Sequence, residues 1–379
     1  MESINNVLIV GGGIGGQSVA IALRQIGINV DIVEIEPKFD VYGVGIIQQA
    51  NALRALDELG VADEAMNRGC PYAQVKMCTP TGHQVAEVGT PPIGRFPSHN
   101  GISRRILHEV LFERSKALGT KYQMGLTVNE IKEKEDGVDV VFSDGNIGSY
   151  DILIGADGVN SKVRSLIFGD YKPNYVGLSV WRYAFKRPKD LDTGYMYFGK
   201  KSKLGLIPMT EDTIYMFVVS AEGADNPFIK EEQMIPMLKS YMQEYPVAMV
   251  QDLIDQVVDP KLVNYRPLET LSLPAPWYKG NAIIIGDGAH ATLPQLGSGA
   301  ALAIEDAVVL AEEIEKQDGT SAIFSRFMAR RYERCKMVVE SSERIGEWEL
   351  MTFKGKQLPE GVNIGAEMGK TCMALTQPI

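Results

Sequence analysis

The chain of 379 residues is too long for one ordinary hydrophobic core and predicts two closely joined domains. Hydrophobic residues make up 45% of the chain and charged residues 23%, which is typical of a soluble globular protein. The formal net charge of −10 argues against a nucleic-acid-binding surface, because phosphate recognition needs clustered Lys and Arg side chains.

The first residues and the metal-binding residue types exclude further classes. No positive charges precede an apolar run at the start, and no apolar stretch reaches the roughly 18 residues of a membrane span. We therefore expect a cytoplasmic protein that does not contact a membrane. The four Cys and four His residues show neither a CxxC pair nor zinc-ligand spacing, so free thiols and no metal site are predicted.

A glycine-rich segment follows the first predicted strand, Asn6–Val10, and leads into a helix. It reads Gly11-Gly12-Gly13-Ile14-Gly15-Gly16. In this pattern Gly11 makes the tight turn, Gly13 lets the backbone approach a pyrophosphate, and Gly16 lets the helix pack on the strand. Backbone N–H groups and the helix dipole then stabilise the negative charge of the pyrophosphate.

A second predicted strand, residues 29–33, leads into Glu34. This acid lies 18 residues after Gly16, which is close to the spacing expected for a carboxylate that accepts ribose hydroxyls. The strand, the helix and the acid together predict a dinucleotide-binding segment. An ordinary strand–turn–helix with a nearby acid is the alternative, but it leaves two later motifs unexplained.

The next part of the chain leads to the second motif. Helices are predicted over residues 51–59 and from Ser103, which is a suitable N-cap. Between them, residues 73–99 are rich in Pro and Gly and predict short strands and turns. A strand over residues 152–154 then delivers the chain to Asp157-Gly158-Val159-Asn160-Ser161-Lys162-Val163-Arg164, where a carboxylate can meet another part of the nucleotide.

The third motif follows a region of different character. Residues 173–271 predict an antiparallel sheet with one or two helices, inserted between halves of the nucleotide-binding domain. A buried strand, residues 282–285, then leads to Gly286 and Asp287, where Asp287 is placed to accept a hydrogen bond from a polyol. The segment 294–299, Pro-Gln-Leu-Gly-Ser-Gly, presents backbone N–H groups at a helix start and favours developing negative charge.

The combination and order of these motifs resemble the single-component flavoprotein aromatic hydroxylases, the group A FAD-dependent monooxygenases of the 4-hydroxybenzoate hydroxylase type. The resemblance implies an α/β fold with a Rossmann-like (GR2-type) FAD-binding domain, an inserted antiparallel β-sheet substrate domain and C-terminal helices. The expected boundaries are 1–72, 100–172 and 272–350 for the discontinuous FAD-binding domain, 73–99 and 173–271 for the substrate domain, and 351–379 for a C-terminal tail.

The same resemblance implies a set of cofactor contacts. The glycine motif binds the ADP half of FAD, Glu34 holds the adenosine ribose, and Asp287 holds the ribityl chain. Arg104 is expected near the pyrophosphate or ribityl chain, and Asp157 and Arg164 near both FAD and NAD(P)H. The expected cofactor-binding residues are Gly11, Gly13, Ile14, Gly15, Gly16, Glu34, Gly45, Arg104, Asp157, Arg164, Gly286, Asp287, Pro294, Gly297, Ser298 and Gly299.

The chain departs from the family at Ser298 and Ala301, where Gln and Asn are frequent. Backbone contacts to the flavin survive this change, whereas side-chain contacts from the loop stay unassigned. The resemblance implies that NADH or NADPH reduces FAD and binds only transiently, since the sequence has no second glycine fingerprint. Oxygen then gives a C4a-hydroperoxyflavin, which hydroxylates a small phenolic aromatic or N-heteroaromatic ring.

The inserted sheet is expected to cover the flavin and to contact the substrate. The expected substrate contacts are Trp181, Arg182, Met209 and Pro294. Lys203 and Tyr215 are catalytic candidates, as a basic residue and an aromatic hydroxyl that bind an anionic substrate or promote its deprotonation. The alternative is a solvated strand end and an ordinary sheet aromatic, because the sequence leaves strand register open by one residue. His290 is a third catalytic candidate, or alternatively a histidine packed near the flavin.

Another flavoenzyme on the same scaffold is the main alternative function, either an epoxidase, a halogenase or a reductase. Trp181, Trp277 and Trp348 are isolated and lack the Trp-x-Trp-x-x-Pro pattern of the halogenases, and no membrane anchor supports the epoxidase. A FAD-binding protein without catalysis is a third class. The expected partners are a small aromatic substrate, O2 and NAD(P)H, with no nucleic acid and no membrane, and the expected state is a monomer or homodimer.

Overall fold

The computed structural model describes residues 4–39, 44–223 and 228–379. In chain order, the strands of these residues are β1 Asn6–Val10, β2 Asn29–Glu34, β3 Gly45–Gln49, β4 Cys70–Tyr72, β5 Val75–Cys78, β6 Gln84–Val88, β7 His99–Ser103, β8 Lys121–Met124, β9 Val128–Lys134, β10 Gly137–Phe142, β11 Ile147–Tyr150, β12 Ile152–Gly155, β13 Asn174–Lys186, β14 Gly194–Phe198, β15 Ser202–Pro208, β16 Thr213–Ala221, β17 Asn264–Thr270, β18 Tyr278–Lys279 and β19 Ala282–Ile284. Their helices are α1 Ile14–Gln25, α2 Ala50–Glu58, α3 Ala62–Asn67, α4 Arg104–Ala117, α5 Lys162–Phe168, α6 Glu231–Met242, α7 Ala248–Ile254, α8 Asp287–His290, α9 Gly299–Glu315, α10 Thr320–Phe353 and α11 Ile364–Leu375.

A six-stranded sheet carries the predicted nucleotide-binding motifs, with strand order β18-β19-β12-β1-β2-β8. All neighbouring pairs are parallel except β18 with β19. Every residue of β12 and all but the first residue of β1 are buried, as expected for parallel strands covered on both faces. Their side chains join those of α1, α4, α9 and α10 in the largest hydrophobic core.

A seven-stranded sheet follows the order β17-β13-β16-β15-β14-β5-β6. Its neighbouring strands are antiparallel, apart from the parallel pair β14 and β5. Because side chains alternate between faces, Trp181, Leu204 and Met216 pack together with α6 and α7 in a second core. The opposite face of this sheet is therefore left to line the functional cavity described below.

Two small sheets complete the fold, with orders β11-β10-β9 and β3-β7-β4. The second one packs closely on the seven-stranded sheet through two glycines. A Cβ atom on Gly101 would lie 2.0 Å from the carbonyl oxygen of Pro208, and one on Gly45 would lie 2.3 Å from the Tyr215 ring. Larger residues at either glycine would push the two sheets apart.

The C-terminal residues fold back onto the helices that precede them. Arg54 donates to the carbonyl of Thr376 at 3.0 Å, and Arg334 donates to that of Leu375 at 2.9 Å. Glu367 of α11 accepts a hydrogen bond from Ser341 of α10 at 2.8 Å. The predicted C-terminal tail thus contains a packed helix.

The predicted α/β class is confirmed: a Rossmann-like parallel sheet, an inserted and largely antiparallel sheet, and C-terminal helices are all present. The exact domain boundaries stay a prediction. Within the described parts of the chain, every helix is too short or too polar to traverse a bilayer.

Candidate active site

A cavity of about 1040 Å³ is lined by the turns that follow β1, β12 and β19, by the seven-stranded sheet and by the sheet of β3, β7 and β4. Its walls include the glycine turn after β1, the Gly286-Asp287 turn and the whole segment 294–299. The motif that begins at Asp157 reaches it only through Gly158. Two of the three separated motifs therefore meet at one cavity, and the third borders it.

The glycine turn fits closely against its surroundings on one side and is open on the other. Gly11 has a φ of +104°, and a Cβ atom there would lie 2.4 Å from the carbonyl oxygen of Ala156. At Gly16 it would lie 1.9 Å from the carbonyl oxygen of Gly11. A Cβ atom on Gly13 would meet no atom within 4 Å, and Gly13 lines the cavity. Since Gly13 caps α1 without a side-chain hydrogen bond, the N–H groups of the first turn remain open to a ligand.

Glu34 lies at the end of β2 and faces the glycine turn. Its carboxylate accepts hydrogen bonds from the N–H groups of Gly12 at 2.7 Å and Glu36 at 3.0 Å. The ring of Phe39 packs between Gly12 and His108. The carboxylate therefore supports the turn in this structure, and its contact with a ribose stays a prediction.

Asp157 and Arg164 hold the turn of the second motif from behind the cavity wall. Asp157 accepts hydrogen bonds from the Ser161 hydroxyl and from the N–H groups of Lys162 and Val163, at 2.8 and 3.0 Å for the two N–H groups. The buried Arg164 guanidinium donates to backbone carbonyls, including that of Gly288 at 2.9 Å. Neither residue is among those that line the cavity, both hold the backbone of this turn, and their contact with the cofactor stays a prediction.

Gly286 and Asp287 connect β19 to α8 at the cavity. Gly286 has a φ of +58°, a conformation that favours glycine, and its N–H group donates to Asp306 Oδ2 at 2.9 Å. Asp287 lines the cavity, where its carboxylate can accept hydrogen bonds from a ligand. Asp306 thus fixes the turn that presents Asp287.

His290 belongs to a buried network of charged side chains and does not line the cavity. Its Nε2 lies 2.7 Å from Asp306 Oδ2, and Arg331 bridges Asp306 at 2.8 Å and Glu305 at 2.7 Å. Burial alone would lower the pKa of His290 and raise the pKa of Asp306. The neighbouring Cys335 and Asp306 instead raise the pKa of His290. His290 and Arg331 lower the pKa of Asp306. The predicted catalytic contact of His290 is therefore replaced by a structural ion pair. Ligand atoms of His290, Asp306 and Cys335 lie within 4.8 Å of one another, but Arg331 already neutralises the carboxylate at this place.

The segment 294–299 is held by one buried side chain of β3. Gln49 donates through Nε2 to the carbonyl of Leu296 at 2.8 Å and accepts from the Ser298 hydroxyl at 3.2 Å. Gly297 adopts the left-handed conformation with a φ of 62°. Ser298 precedes α9 without a side-chain cap, so the first N–H groups of α9 are available at the cavity.

Arg104, at the start of α4, supplies a positive charge to the same cavity. Burial lowers the pKa of this guanidinium, and the Asp287 carboxylate partly offsets the effect, although the side chain still contacts solvent inside the cavity. Arg182 and Arg266 line the cavity as well. The wall therefore carries positive charge at several places, in contrast to the net negative charge of the chain.

The cavity face of the seven-stranded sheet consists of alternating residues in register. The lining side chains of this sheet are Val75, Met77, Val180, Arg182, Met196, Lys203, Tyr215, Phe217, Val219, Asn264 and Arg266, together with Glu87 and Val88 of the edge strand. Gly205 lies between Phe217 and Met196, and a Cβ atom there would lie 2.3 Å from the Phe217 ring. The small residue lets that ring lie across the strand, so the wall is mostly apolar with a few polar groups.

Tyr215 and Arg182 form one of these polar groups. Arg182 Nε donates to the Tyr215 hydroxyl at 3.2 Å, and its Nη1 reaches Asn264 Oδ1 at 3.4 Å. The Tyr215 ring covers the backbone of Gly45, which explains why that position has no side chain. Gly45, predicted as a cofactor contact, lines the cavity as well.

The Lys203 ammonium group is neither exposed to solvent nor unpaired. It is buried, and its ammonium lies 2.5 Å from Glu349 Oε1 of α10. The second oxygen of Glu349 accepts a hydrogen bond from Gln295 Nε2 at 3.1 Å. The three residues connect the sheet wall, α10 and the segment 294–299, so Lys203 reaches the cavity as part of a neutral pair.

Two expected substrate contacts lie away from the cavity surface. Trp181 is buried on the opposite face of the sheet, where its Nε1 donates to Ser220 Oγ at 3.1 Å. The expectation of a substrate contact is therefore corrected, because Trp181 alternates with the cavity residues Val180 and Arg182. Met209 is buried beside Tyr215 without lining the cavity, whereas the remaining expected contact, Pro294, lines it.

Several cavity residues carry no signal in the sequence that would identify them. The most important of these are Tyr72, His99, Asn264 and Arg266, and the same holds for Glu349, which pairs with the cavity residue Lys203. Glu349 lies 146 residues from its partner Lys203, and nothing in the spacing connects the two. Such pairs arise only when distant elements pack against each other.

Comparisons with known proteins agree with this arrangement. The family model described as an FAD binding domain matches residues 5–342. Aurachin C monooxygenase/isomerase of Stigmatella aurantiaca is 30% identical, covering 92% of this chain and 91% of the relative. 2-Heptyl-3-hydroxy-4(1H)-quinolone synthase of Pseudomonas aeruginosa is 27% identical, covering 90% of each chain. The crystal structure of Klebsiella pneumoniae HpxO complexed with FAD and uric acid has a TM-score of 0.84 at 24% identity, covering 99% of this chain and 97% of that one.

The chain belongs to the FAD-binding monooxygenase family. The predicted relationship to the flavoprotein aromatic hydroxylases is thereby confirmed, as is the prediction of FAD as the cofactor.

The residues on the cavity wall fit FAD. The open space at Gly13 and the uncapped N-terminus of α1 suit a pyrophosphate, and the Arg104 guanidinium adds a positive charge. Asp287 offers a carboxylate to hydroxyl groups, and the uncapped N-terminus of α9 suits the polar edge of the isoalloxazine ring. These features border a single cavity, as the binding of one dinucleotide requires.

Proposed function

We propose that this protein hydroxylates a small phenolic aromatic or N-heteroaromatic ring, with FAD as cofactor, O2 as oxidant and NADH or NADPH as reductant. The observation that carries the proposal is the shared cavity. Arg182, Lys203 and Tyr215 project from the sheet into the same space that the segment 294–299 borders with backbone N–H groups. A ring placed there lies between these side chains of the sheet and the bound cofactor.

Bound FAD supplies the redox chemistry, since reduced flavin activates O2 for transfer of one oxygen atom to an electron-rich ring. The protein residues must bind the ring, orient it and exclude water. The apolar side chains of Val180, Met196, Phe217 and Val219 suit an aromatic ring and keep the site dry.

Tyr215 is proposed to act on the hydroxyl group of the substrate. Its own oxygen accepts the Arg182 hydrogen bond, which holds the side chain on the wall and leaves its O–H group to donate. A hydrogen bond to the substrate oxygen controls where the phenolic proton lies and therefore how electron-rich the ring becomes. Gly45 permits this position of the Tyr215 ring.

Lys203 is proposed to orient the substrate rather than to attract it by charge alone. One hydrogen of its ammonium is directed to Glu349, while the ammonium group has three hydrogens to donate. The Glu349 carboxylate cancels the net charge of the pair. A neutral or weakly acidic ring suits this wall better than a permanent dianion.

The names of similar proteins support an N-heteroaromatic ring. One relative is named for a quinolone, and the similar crystal structure contains uric acid. Both ligands are nitrogen heterocycles. The apolar wall with isolated polar groups is compatible with either kind of ring.

The proposal is tested by measuring NADH and NADPH oxidation by the purified yellow protein, with and without candidate rings. The panel contains phenols, hydroxybenzoates, hydroxypyridines and quinolones, and mass spectrometry detects the gain of one oxygen atom. We expect at least one ring to stimulate oxidation and to gain oxygen. Oxidation that yields only hydrogen peroxide with every ring, or a product modified in another way, contradicts hydroxylation.

A further inference from the structure

The cavity wall that the seven-stranded sheet provides changes character from one side to the other. Its strands follow the order β17-β13-β16-β15-β14-β5-β6. Apart from Glu87 on the edge strand β6, the polar residues of this wall lie on the first four strands. These residues are Asn264 and Arg266 on β17, Arg182 on β13, Tyr215 on β16 and Lys203 on β15. The proposed ring site belongs to this polar half of the wall.

The remaining strands, β14, β5 and β6, form an apolar half of the wall. Met196 of β14 pairs with Met77 of β5, and Val75 of β5 pairs with Val88 of β6. All four residues line the cavity; the first three are half-buried and Val88 is exposed. Three strand spacings separate β15 from β6, which corresponds to about 14 Å. The apolar half therefore offers a long accessible surface beside the ring site.

The register makes the two halves continuous. Arg182 lies opposite Phe217, and Phe217 lies opposite Gly205. The same row continues from Gly205 to Met196 and from there to Met77. Residues that lie opposite each other on neighbouring strands share one face of the sheet. A ligand bound near Arg182 can therefore extend to Met77 along a single face.

One face of helix α11 also lines the cavity. The lining residues of this helix are Gly365, Met368, Gly369 and Cys372, whose spacing is that of a single helix face. A Cβ atom on Gly369 would meet no atom within 4 Å, and Gly369 is exposed. A glycine in the interior of a helix destabilises it relative to alanine. Another face packs on α10, where the Thr371 and Ser341 hydroxyl oxygens lie 2.7 Å apart. The helix thus leaves open space at Gly369 and adds the Met368 side chain to the wall.

The chemistry of the apolar half indicates what it binds. The contacts that suit FAD lie elsewhere on the wall, at Arg104, at the turns after β1 and β19 and at the segment 294–299. A ring in the polar half leaves the apolar half in contact with water, and covering this surface with an apolar group favours binding. Methionine side chains suit a flexible group because they are unbranched and adaptable. Glu87 at the outer edge disfavours a group that ends in a negative charge.

We propose that the substrate is an aromatic ring that carries an uncharged aliphatic chain. The ring lies at the polar half of the wall, and the chain extends over Met196 and Met77 towards the open space at Gly369. Met77, Met196 and Gly369 are then specificity-determining residues, because they select for the chain. The inference names the substrate class of the proposed hydroxylation and rests on that function.

The test measures binding to the oxidised holoenzyme by calorimetry, without NAD(P)H and therefore without turnover. The probes are 4-propylphenol, 4-heptylphenol and 7-(4-hydroxyphenyl)heptanoate, which share one ring and differ in the length and charge of the chain. Met77→Gln places an amide in the apolar half, and Gly369→Leu fills the open space on α11.

Each variant has a matched control. Met237→Gln makes the same change at a half-buried methionine that packs against the second core, on the other face of the sheet. Lys370→Leu adds the same side chain to α11 at an exposed residue that does not line the cavity.

We expect the unchanged protein to bind 4-heptylphenol at least about thirty-fold more tightly than 4-propylphenol, because four more methylene groups are buried. Met77→Gln and Gly369→Leu should each reduce this ratio at least about five-fold, and the two controls should keep it. The probe that ends in a carboxylate should bind more weakly than 4-heptylphenol.

Four results overturn the proposal. They are the failure of both alkylphenols to bind, equal affinities for the two chain lengths, the same ratio in Met77→Gln, Gly369→Leu and the unchanged protein, and an equal fall of the ratio in the controls. Tighter binding of the carboxylate probe than of 4-heptylphenol overturns the uncharged chain.

The outcome is distinguishable from that of the hydroxylation test. If the preference for the long chain is present but no ring gains oxygen, the proposed function fails and the chain-binding site stands. If a ring gains oxygen but the preference is absent, hydroxylation stands and the roles of Met77, Met196 and Gly369 are rejected.

Discussion

Two buried polar regions near the cavity differ in whether they carry charges. Behind the Gly286-Asp287 turn, Asp306 accepts from Gly286, His290 and Arg331, and Arg331 also pairs with Glu305. On the other wall, Tyr72 and His99 stack on each other and carry no charge. The paired charges fix a backbone turn, whereas the uncharged rings contribute mainly packing.

This difference has an energetic origin. Removing one partner from a buried ion pair leaves the other charge without compensation, so such a network strongly resists change. Neutral buried groups with an unpaired atom cost less, so the uncharged pair tolerates change more readily. The predictions below test this contrast, from the largest effect to the smallest.

Asp306→Ala should have the largest effect, because it leaves His290 and Arg331 buried without their carboxylate. We expect a loss of about 3–5 kcal/mol in the free energy of unfolding and a loss of bound FAD. Urea unfolding and the flavin absorbance of the purified protein measure the two effects. Glu340→Gln, which breaks an exposed pair with Lys336, is the control and should cost less than about 1 kcal/mol. Similar losses in both variants would argue against the special role of the buried network.

Two of the three buried histidines, His99 and His290, should give opposite pH dependences of stability. The folded-state pKa of His99 is lowered from 6.5 to about 4, so its contribution is complete above pH 6.5 and is lost as pH falls towards 4. The loss amounts to at most about 3 kcal/mol. The pKa of His290 is raised instead, so its contribution is complete below pH 6.5 and is lost as pH rises through the folded-state value.

Urea unfolding of His99→Gln and of the unchanged protein, from pH 4 to 7 with fixed free FAD, measures this effect. The variant should lose less stability on acidification, and the exposed His83→Gln serves as the control. The same slope in His99→Gln and the unchanged protein would mean that His99 is charged in the folded state.

Tyr215→Phe should leave the protein yellow and should slow product formation at least about ten-fold, because the hydroxyl that Arg182 positions is lost. The measurement compares the oxygenated product with the NAD(P)H consumed. We expect consumption to continue with less product. A colourless variant would assign Tyr215 to cofactor binding instead.

Asp287→Ala should weaken FAD binding about ten-fold, since one charged acceptor on the cavity wall is removed. Titration of the apoprotein with FAD gives the dissociation constant. Asp287→Asn keeps the shape and an acceptor oxygen, so it should lose less affinity than the alanine variant. Equal affinity of Asp287→Ala and the unchanged protein would remove Asp287 from the cofactor site.

The sequence predicted those parts of the site that depend on residues close together in the chain. The glycine turn and the Gly286-Asp287 turn depend on neighbouring residues, and short-range patterns identified both. Lys203 and Tyr215 were found through the family resemblance, and the strand register places both on the cavity face. Trp181 was assigned to the wrong face, because one residue of register reverses every side chain on a strand.

The rest of the site depends on contacts between residues far apart in sequence. His99 and Tyr72 become neighbours only when β7 pairs with β4, and Glu349 reaches Lys203 from the far end of α10. Asp157 and Arg164 match the motif of the family, and in this structure their hydrogen bonds hold the backbone of the turn. No local pattern distinguishes a residue that touches a ligand from one that holds the loop beside it.

The parallel pairing of β5 with β14 has a consequence for folding. More than 110 residues separate the two strands, and the whole second motif of the nucleotide site lies between them in sequence. Contacts between distant parts of a chain form slowly, because a long loop must close before they gain stability. This edge of the cavity wall is therefore expected to assemble late, after the glycine turn has already formed its strand and helix.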